Sequence, residues 1–225
     1  MTKPGNRKRL NGLTSITLIR HGHVHNPDNL IYGRLPGFGL SDVGRNQAAA
    51  AAEHLRSAKL AALFASPQQR AAETAEFIRH LHPHLTVRTA RLMDEVRCYF
   101  EGRPAEEVEA RGWDLYTGVE GDFETPDIIA ARGTRFIAET RATHAGSHIA
   151  VVTHGDVIAF TLLHAMDDTV HISRKRTLAR YGITDTYPAT ASLTTLSYSS
   201  DDPCEIPTVE YVRPYGDELT LDSVS

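Results

Sequence analysis

Two short apolar runs in this chain each stop at a histidine followed by a glycine: Leu18-Ile19-Arg20-His21-Gly22 and Val151-Val152-Thr153-His154-Gly155. An apolar run of this length that breaks into a polar loop reads as a buried strand presenting side chains at its end. Ligands of open α/β sheets sit beyond the carboxyl ends of such strands. If the two strands are neighbours, Arg20, His21 and His154 converge on one crevice, where the glycines let the backbone turn sharply or approach a ligand closely. Either His-Gly pair alone is as readily a plain turn. Two of them, one beside an arginine, point to function.

Arg70 is the third informative residue. Ser66-Pro67-Gln68-Gln69 reads as a capping box, with serine at the N-cap, proline at N1 and glutamine at N3, which places Arg70 at N4. There the helix dipole disfavours a cation by roughly 0.3–1 kcal/mol, while the free N–H groups of the same terminus attract phosphate. An arginine at that position makes sense facing an anion. The plainer alternative is an exposed side chain held by Glu73 or Glu76.

The elements that must position these residues alternate along the chain. Strands are expected at 16–19, 60–65, 85–92, 148–153, 191–198 and 207–213. Helices are expected from the Ser41 cap through the alanine run to about 56, from the Ser66 cap to about 80, over 104–111, over 127–143 after Thr125-Pro126, and over 156–166. Residues 26–40 hold Pro27, Gly33, Pro36, Gly37 and Gly39 and read as a surface loop. The alternation implies a three-layer α/β/α sandwich around a mostly parallel central sheet.

The 225 residues carry 24 Lys and Arg against 28 Asp and Glu, a net charge of −4 that gives no reason to expect nucleic-acid binding. Any positive field must therefore be local, focused in a cleft. Residues 1–12 read as a flexible basic tail and 13–225 as a single domain. The start faintly resembles a secretion signal, but polar residues interrupt its apolar part and no small-residue cleavage site follows. No apolar run approaches the ~20 residues of a transmembrane helix. A chain this long needs no disulfide, and its two cysteines, Cys98 and Cys204, fit a reducing compartment, so a cytoplasmic protein without membrane partners is expected.

Four segments together, spread over roughly residues 14–165, resemble the histidine phosphatase superfamily in its phosphoglycerate-mutase-like branch. They are Leu18–Gly22, Leu40-Ser41-Asp42-Val43-Gly44-Arg45 with Gln47, Ser66–Ala75 with Arg70 at its centre, and Val151–Gly155. The resemblance implies an α/β sandwich in which His21 becomes transiently phosphorylated while Arg20, Arg70 and His154 bind the phosphoryl oxygens. It implies no cofactor and no metal. It also places a glutamate after a mid-chain strand, which at Leu92-Met93-Asp94-Glu95 makes Glu95 the general acid and base, with Asp94 as fallback. Those roles agree with the chemistry: phosphoryl transfer needs in-line placement and neutralised equatorial charge, which forked guanidiniums supply.

This chain departs from common members on the rim. His23, Val24, His25 and Asn26 follow the first motif, and Gly37 and Gly39 replace the usual Asp and Pro. Asn26, Tyr32 and Arg34 are the candidate substrate-rim residues, with a plain solvent loop as the alternative. The twelve histidines also raise metal binding by His21, His23 and His25 or by His80, His82 and His84. The leading function is hydrolysis of a small-molecule phosphomonoester. A phosphomutase is second, disfavoured by the short stretch between Glu95 and His154, and a non-catalytic phospho-ligand module is third. Neither the substrate nor the oligomeric state is legible.

Overall fold

The computed structural model describes residues 9–219. It is a six-stranded sheet with helices on both faces, as the alternation of elements implies. In chain order the elements are β1 (Arg9–Arg20), α1 (Asp42–Leu55), β2 (Leu60–Ala65), α2 (Gln69–Leu81), β3 (Val87–Thr89), α3 (Ala105–Glu109), α4 (Pro126–Thr143), β4 (His148–Thr153), α5 (Gly155–Ala165), β5 (Leu193–Ser200) and β6 (Thr208–Val212). The strand order is β3-β2-β4-β1-β5-β6. β3, β2, β4 and β1 run parallel, and β5 and β6 close the sheet antiparallel.

Side-chain alternation along the central strands feeds two cores. Ile16, Leu18 and Val151 point to one face and meet α4 and α5 through Ile129, Phe136 and Phe160. Ile19, Ala150 and Val152 point to the other and meet Ala51 and Leu55 of α1 and Ile78 of α2. Alanines at the facing positions of α1 and α2 let these two helices sit close to the sheet. Among the described residues no helix is long and apolar enough to cross a membrane.

Three boundaries differ from expectation. Residues 1–8 of the expected tail lie outside the described residues, but β1 already begins at Arg9, which pairs with Ser200. The strand expected over 85–92 is only Val87–Thr89, followed by a 3-10 turn at Arg91–Met93. The expected capping box does not form: α2 starts at Gln69, its N-cap is Gln68 without a side-chain bond, and Arg70 is the second helical residue. Ser66 has other partners, described below.

The register of β1 against β4 fixes the site. Arg20 lies opposite Thr153, and the His21 N–H donates to the Thr153 carbonyl at 3.0 Å. The next residue of each strand is therefore a histidine beside a histidine. The loop after His21 is pressed onto the start of α1. A Cβ at Gly22 would lie 2.4 Å from the Gly44 oxygen, and one at Gly44 would lie 1.9 Å from the His23 oxygen. Backbone packed that closely admits no side chain. Gly44→Ala should cost about 1–3 kcal/mol of stability by overpacking. A melting point lower by about 2–4 °C per kcal/mol would register it, and an unchanged melting point would refute the contact.

Candidate active site

His21 and His154 are both buried, with ring centroids 5.2 Å apart in an edge-to-face arrangement. Arg70 lies between them with no solvent exposure. Its Nε is 3.3 Å from His21 Nε2, and its Nη2 is 3.3 Å from His154 Nδ1 and 3.0 Å from Glu95 Oε2. Nη2 also donates to the Gly33 carbonyl at 2.8 Å, and the Tyr32 ring covers the guanidinium, its centroid 4.6 Å from Cζ. Arg20 approaches from β1, donating from Nη1 to the Pro188 carbonyl at 2.9 Å. The structure thus brings Arg20, His21, Arg70, Glu95 and His154 to one place.

Hydrogen bonding decides the tautomer of His21. Its Nδ1 lies 2.8 Å from the Gly22 carbonyl, an oxygen that can only accept, so the proton is on Nδ1. Nε2 then carries the lone pair, which accepts from Arg70 Nε. Burial, helped by the charges of Arg70, His154 and Arg20, holds the His21 pKa well below the ordinary histidine value, against a smaller opposing effect of the Gly22 carbonyl. A neutral imidazole with an unprotonated Nε2 is chemically capable of nucleophilic attack once that lone pair is released. Burial and Arg20 lower His23 in the same sense, and its Nδ1 is bound to Ser41 Oγ at 2.7 Å.

His154 sits between two carboxylates. Ser66 Oγ donates to Asp94 Oδ1 at 3.3 Å and lies 2.7 Å from His154 Nε2, so that nitrogen is the donor. Nδ1 faces Glu95 Oε2 at 3.0 Å. Arg70 Nη2 bridges the two, 3.3 Å from the same Nδ1 and 3.0 Å from the same Oε2, and burial, opposed by the Glu95 charge and helped by Arg70, lowers the His154 pKa below the ordinary histidine value. Burial pushes the Glu95 carboxyl up, but His154, Arg70 and the Val96 N–H outweigh it and hold it well below the usual range. Asp94 is not a second acid facing the site. It accepts from Ser66, from Gln68 Nε2 at 2.8 Å and from the Glu95 N–H at 2.8 Å, and so braces the loop.

Two buried guanidinium donors, Arg20 Nε and Arg70 Nη1, have no partner among the described residues. Native interiors rarely leave such groups unsatisfied. An anion in the crevice would take both.

Of the rim candidates, only Tyr32 lines this crevice through its contact with Arg70. Asn26 closes a turn, with both polar atoms of its amide on the Leu30 backbone. Arg34 donates from Nε to the Glu95 carbonyl at 2.8 Å and from Nη2 to Glu124 at 2.9 Å, so it holds the acid-bearing loop. Glu124 and Arg132 share that task. The histidine clusters do not gather: His82 and His84 point to the Leu55 and Leu60 carbonyls. Among the described residues one group could hold a metal, His21, Glu95 and His154, with ligand atoms within 4.8 Å of one another. The Arg70 guanidinium already stands among those three atoms, and its permanent charge opposes a second cation. Residues 187–188, beside Arg20, carry no motif and left no signal in the sequence.

The sequence and fold that carry this crevice are matched by known proteins. The chain belongs to the histidine phosphatase superfamily (branch 1), whose family model matches residues 16–203. An uncharacterized protein of Mycobacterium tuberculosis is 38% identical over 148 residues, 63% of this chain and 73% of its own length. A metal-independent phosphoserine phosphatase of Arabidopsis thaliana is 27% identical over 185 residues, 71% of this chain and 77% of that one. A mycobacterial glucosyl-3-phosphoglycerate phosphatase shares the fold, with a TM-score of 0.69 at 23% identity over 88% of this chain and 97% of that one.

The His21 assignment is directly measurable. Nitrogen NMR of labelled histidines, assigned with His21→Asn, should show the Nδ1–H tautomer persisting as pH falls past the ordinary value of 6.5. The depressed pKa also means that the unfolded chain takes up a proton the folded chain refuses. Stability should therefore decline as pH drops below 6.5 toward the folded pKa, less steeply in His21→Asn. A His21 signal titrating at the ordinary value would refute both.

Proposed function

We propose that this chain is a phosphatase that hydrolyses a small-molecule phosphomonoester through a phosphohistidine on His21 Nε2. The observation carrying this reading is the pair of buried, unpartnered guanidinium donors, Arg20 Nε and Arg70 Nη1, beside the free lone pair of a buried neutral histidine. Relatives named as phosphatases support hydrolysis as the reaction class.

The steps follow from the geometry. The phosphoryl oxygens take the N–H groups of Arg20 and Arg70, including the Nε–H that otherwise caps His21 Nε2. That exchange exposes the lone pair to phosphorus. Nε2 forms the P–N bond as the P–O bond to the leaving group breaks, and the leaving oxygen takes a proton from the Glu95 carboxyl, whose protonated form the charge of the bound phosphate favours. The guanidiniums neutralise charge building on the equatorial oxygens. Glu95, now a carboxylate, removes a proton from water, whose oxygen attacks phosphorus, and the P–N bond breaks to release phosphate. The protein's own cations do the work for which other phosphatases use metal ions.

His21→Ala should lower phosphate release by at least about a thousandfold, and quenching the wild type with labelled substrate in alkaline detergent should trap an acid-labile, alkali-stable phosphoprotein absent from the variant. Glu95→Gln should cost about 10²–10⁴ with alkyl phosphates and less with p-nitrophenyl phosphate, whose leaving group departs without a proton. Activity should survive EDTA. Equal turnover by His21→Ala would reduce the site to a binding module, and isomer interconversion without phosphate release would mark a mutase.

A further inference from the structure

Directly after the second His-Gly pair, at the start of α5, stands a buried carboxylate that the mechanism above does not use. Asp156 Oδ1 accepts from the Tyr187 hydroxyl at 2.7 Å, and Oδ2 accepts from the Tyr116 hydroxyl at 2.6 Å and from Lys175 Nζ at 2.9 Å. Lys175 is itself buried and donates to the Trp113 carbonyl at 2.9 Å. Three donors, from Tyr116, Lys175 and Tyr187, thus meet on the residue that follows Gly155.

Such a cluster is costly to build. Each buried ion loses several kcal/mol of hydration, which only good geometry and full hydrogen bonding offset. The α5 N-terminus favours a carboxylate, but that alone calls for neither Lys175 nor two tyrosines. What the cluster reaches is Arg20. The Tyr187 ring lies against its guanidinium, with Cζ 5.5 Å from the ring centroid, and the carbonyl of the next residue, Pro188, takes its Nη1–H. Both contacts that orient Arg20 therefore come from consecutive residues, and the first is anchored by its hydroxyl to Asp156. Gly155 makes room for that anchor: a Cβ there would lie 2.2 Å from the Tyr187 oxygen. Burial and the Asp156 charge raise the Tyr187 pKa well above the ordinary tyrosine value, so its hydroxyl remains a donor.

We infer that Asp156 and Tyr187 are positioning residues that hold the Arg20 guanidinium in place for the phosphoryl oxygens. The inference rests on the phosphatase reading of the same crevice. Asp156 fixes the hydroxyl, the hydroxyl fixes the ring, and the ring with the Pro188 carbonyl fixes the guanidinium plane. That leaves Arg20 Nε unpartnered and directed at the anion. A cluster that merely pinned the start of α5 would stabilise the fold without acting through Arg20.

A double-mutant cycle separates the two. Tyr187→Phe keeps the ring and removes the anchor, and it is compared with Arg20→Ala and the double variant. The readouts are inorganic phosphate binding by calorimetry and kcat/KM for p-nitrophenyl phosphate, with melting curves as a fold control. Tyr187→Phe should weaken phosphate binding and lower kcat/KM about three- to tenfold, the range for losing one hydrogen bond. In the Arg20→Ala background it should change neither. Asp156→Asn, which loses the charge facing Lys175, should act in the same direction with the same dependence on Arg20. Equal losses with and without Arg20, or a lower melting point alone, would overturn the inference. If the wild type binds phosphate but hydrolyses no ester, the phosphatase reading fails while the binding arm still decides this one. If it binds no phosphate, both fall.

Discussion

A guanidinium with no exposure to solvent stands between two histidines, and the arrangement of the site follows from how it is held. Removing such a charge from water costs several kcal/mol. Gly33, Glu95 and the Tyr32 ring offset part of that cost, yet among the described residues Nη1 has no partner. A fully satisfied arginine would be a structural ion pair and nothing more. An incompletely satisfied one is preorganised for an anion, because the missing partner is what the ligand supplies. The same logic applies to His21: in the empty crevice Arg70 Nε occupies its lone pair. An anion that draws this N–H away binds and uncovers the nucleophile in one rearrangement.

The sheet makes that placement possible. Parallel pairing of β1 with β4 in a register that sets Arg20 opposite Thr153 brings the two imidazoles abreast without any loop having to reach across. α2 brings Arg70 to the same end of the sheet, and it does so because the helix begins late. Ser66 and Gln68 are drawn toward Asp94 rather than closing a cap, so Arg70 lies in the first turn. Side chains on rigid strand and helix ends are placed more reproducibly than side chains on loops, which suits a reaction whose catalysis is mostly positioning.

Much of this was legible in the sequence because it is local. Apolar runs, an alanine-rich helix and paired His-Gly ends each state their conformation within a few residues, and four of the strands and the helices lie within a residue or two of expectation. What was illegible depends on partners distant in the chain. Ser66 has the local pattern of a capping residue, and only the approach of His154 and Asp94 diverts it. Arg34 looks like a rim residue until Glu124, ninety positions later, claims its guanidinium. Tyr187 and Pro188 sit in a segment with no periodicity and no motif. Their importance comes entirely from the neighbour they meet, Arg20, at the far end of β1.

The acid-bearing loop shows why those distant partners matter to the chemistry. The charge of Glu95 depends on its surroundings. In the empty site His154, Arg70 and the Val96 N–H outweigh burial and favour the carboxylate. On the phosphatase reading proposed above, a bound phosphate dianion would offset Arg70 and add negative charge beside Glu95, and both changes raise the carboxyl pKa. On that reading the ligand itself favours the protonated acid. That holds only if Glu95 cannot swing to follow Arg70 or escape into solvent, and the loop prevents both. Its backbone N–H is tied to Asp94, its second carboxylate oxygen to the Val96 N–H, and its carbonyl to Arg34 and Arg132, which Glu124 holds together. A flexible carboxylate at the same distance would simply neutralise Arg70 and compete with the phosphate, so the rigidity of this loop is what separates an acid catalyst from an inhibitory counter-ion.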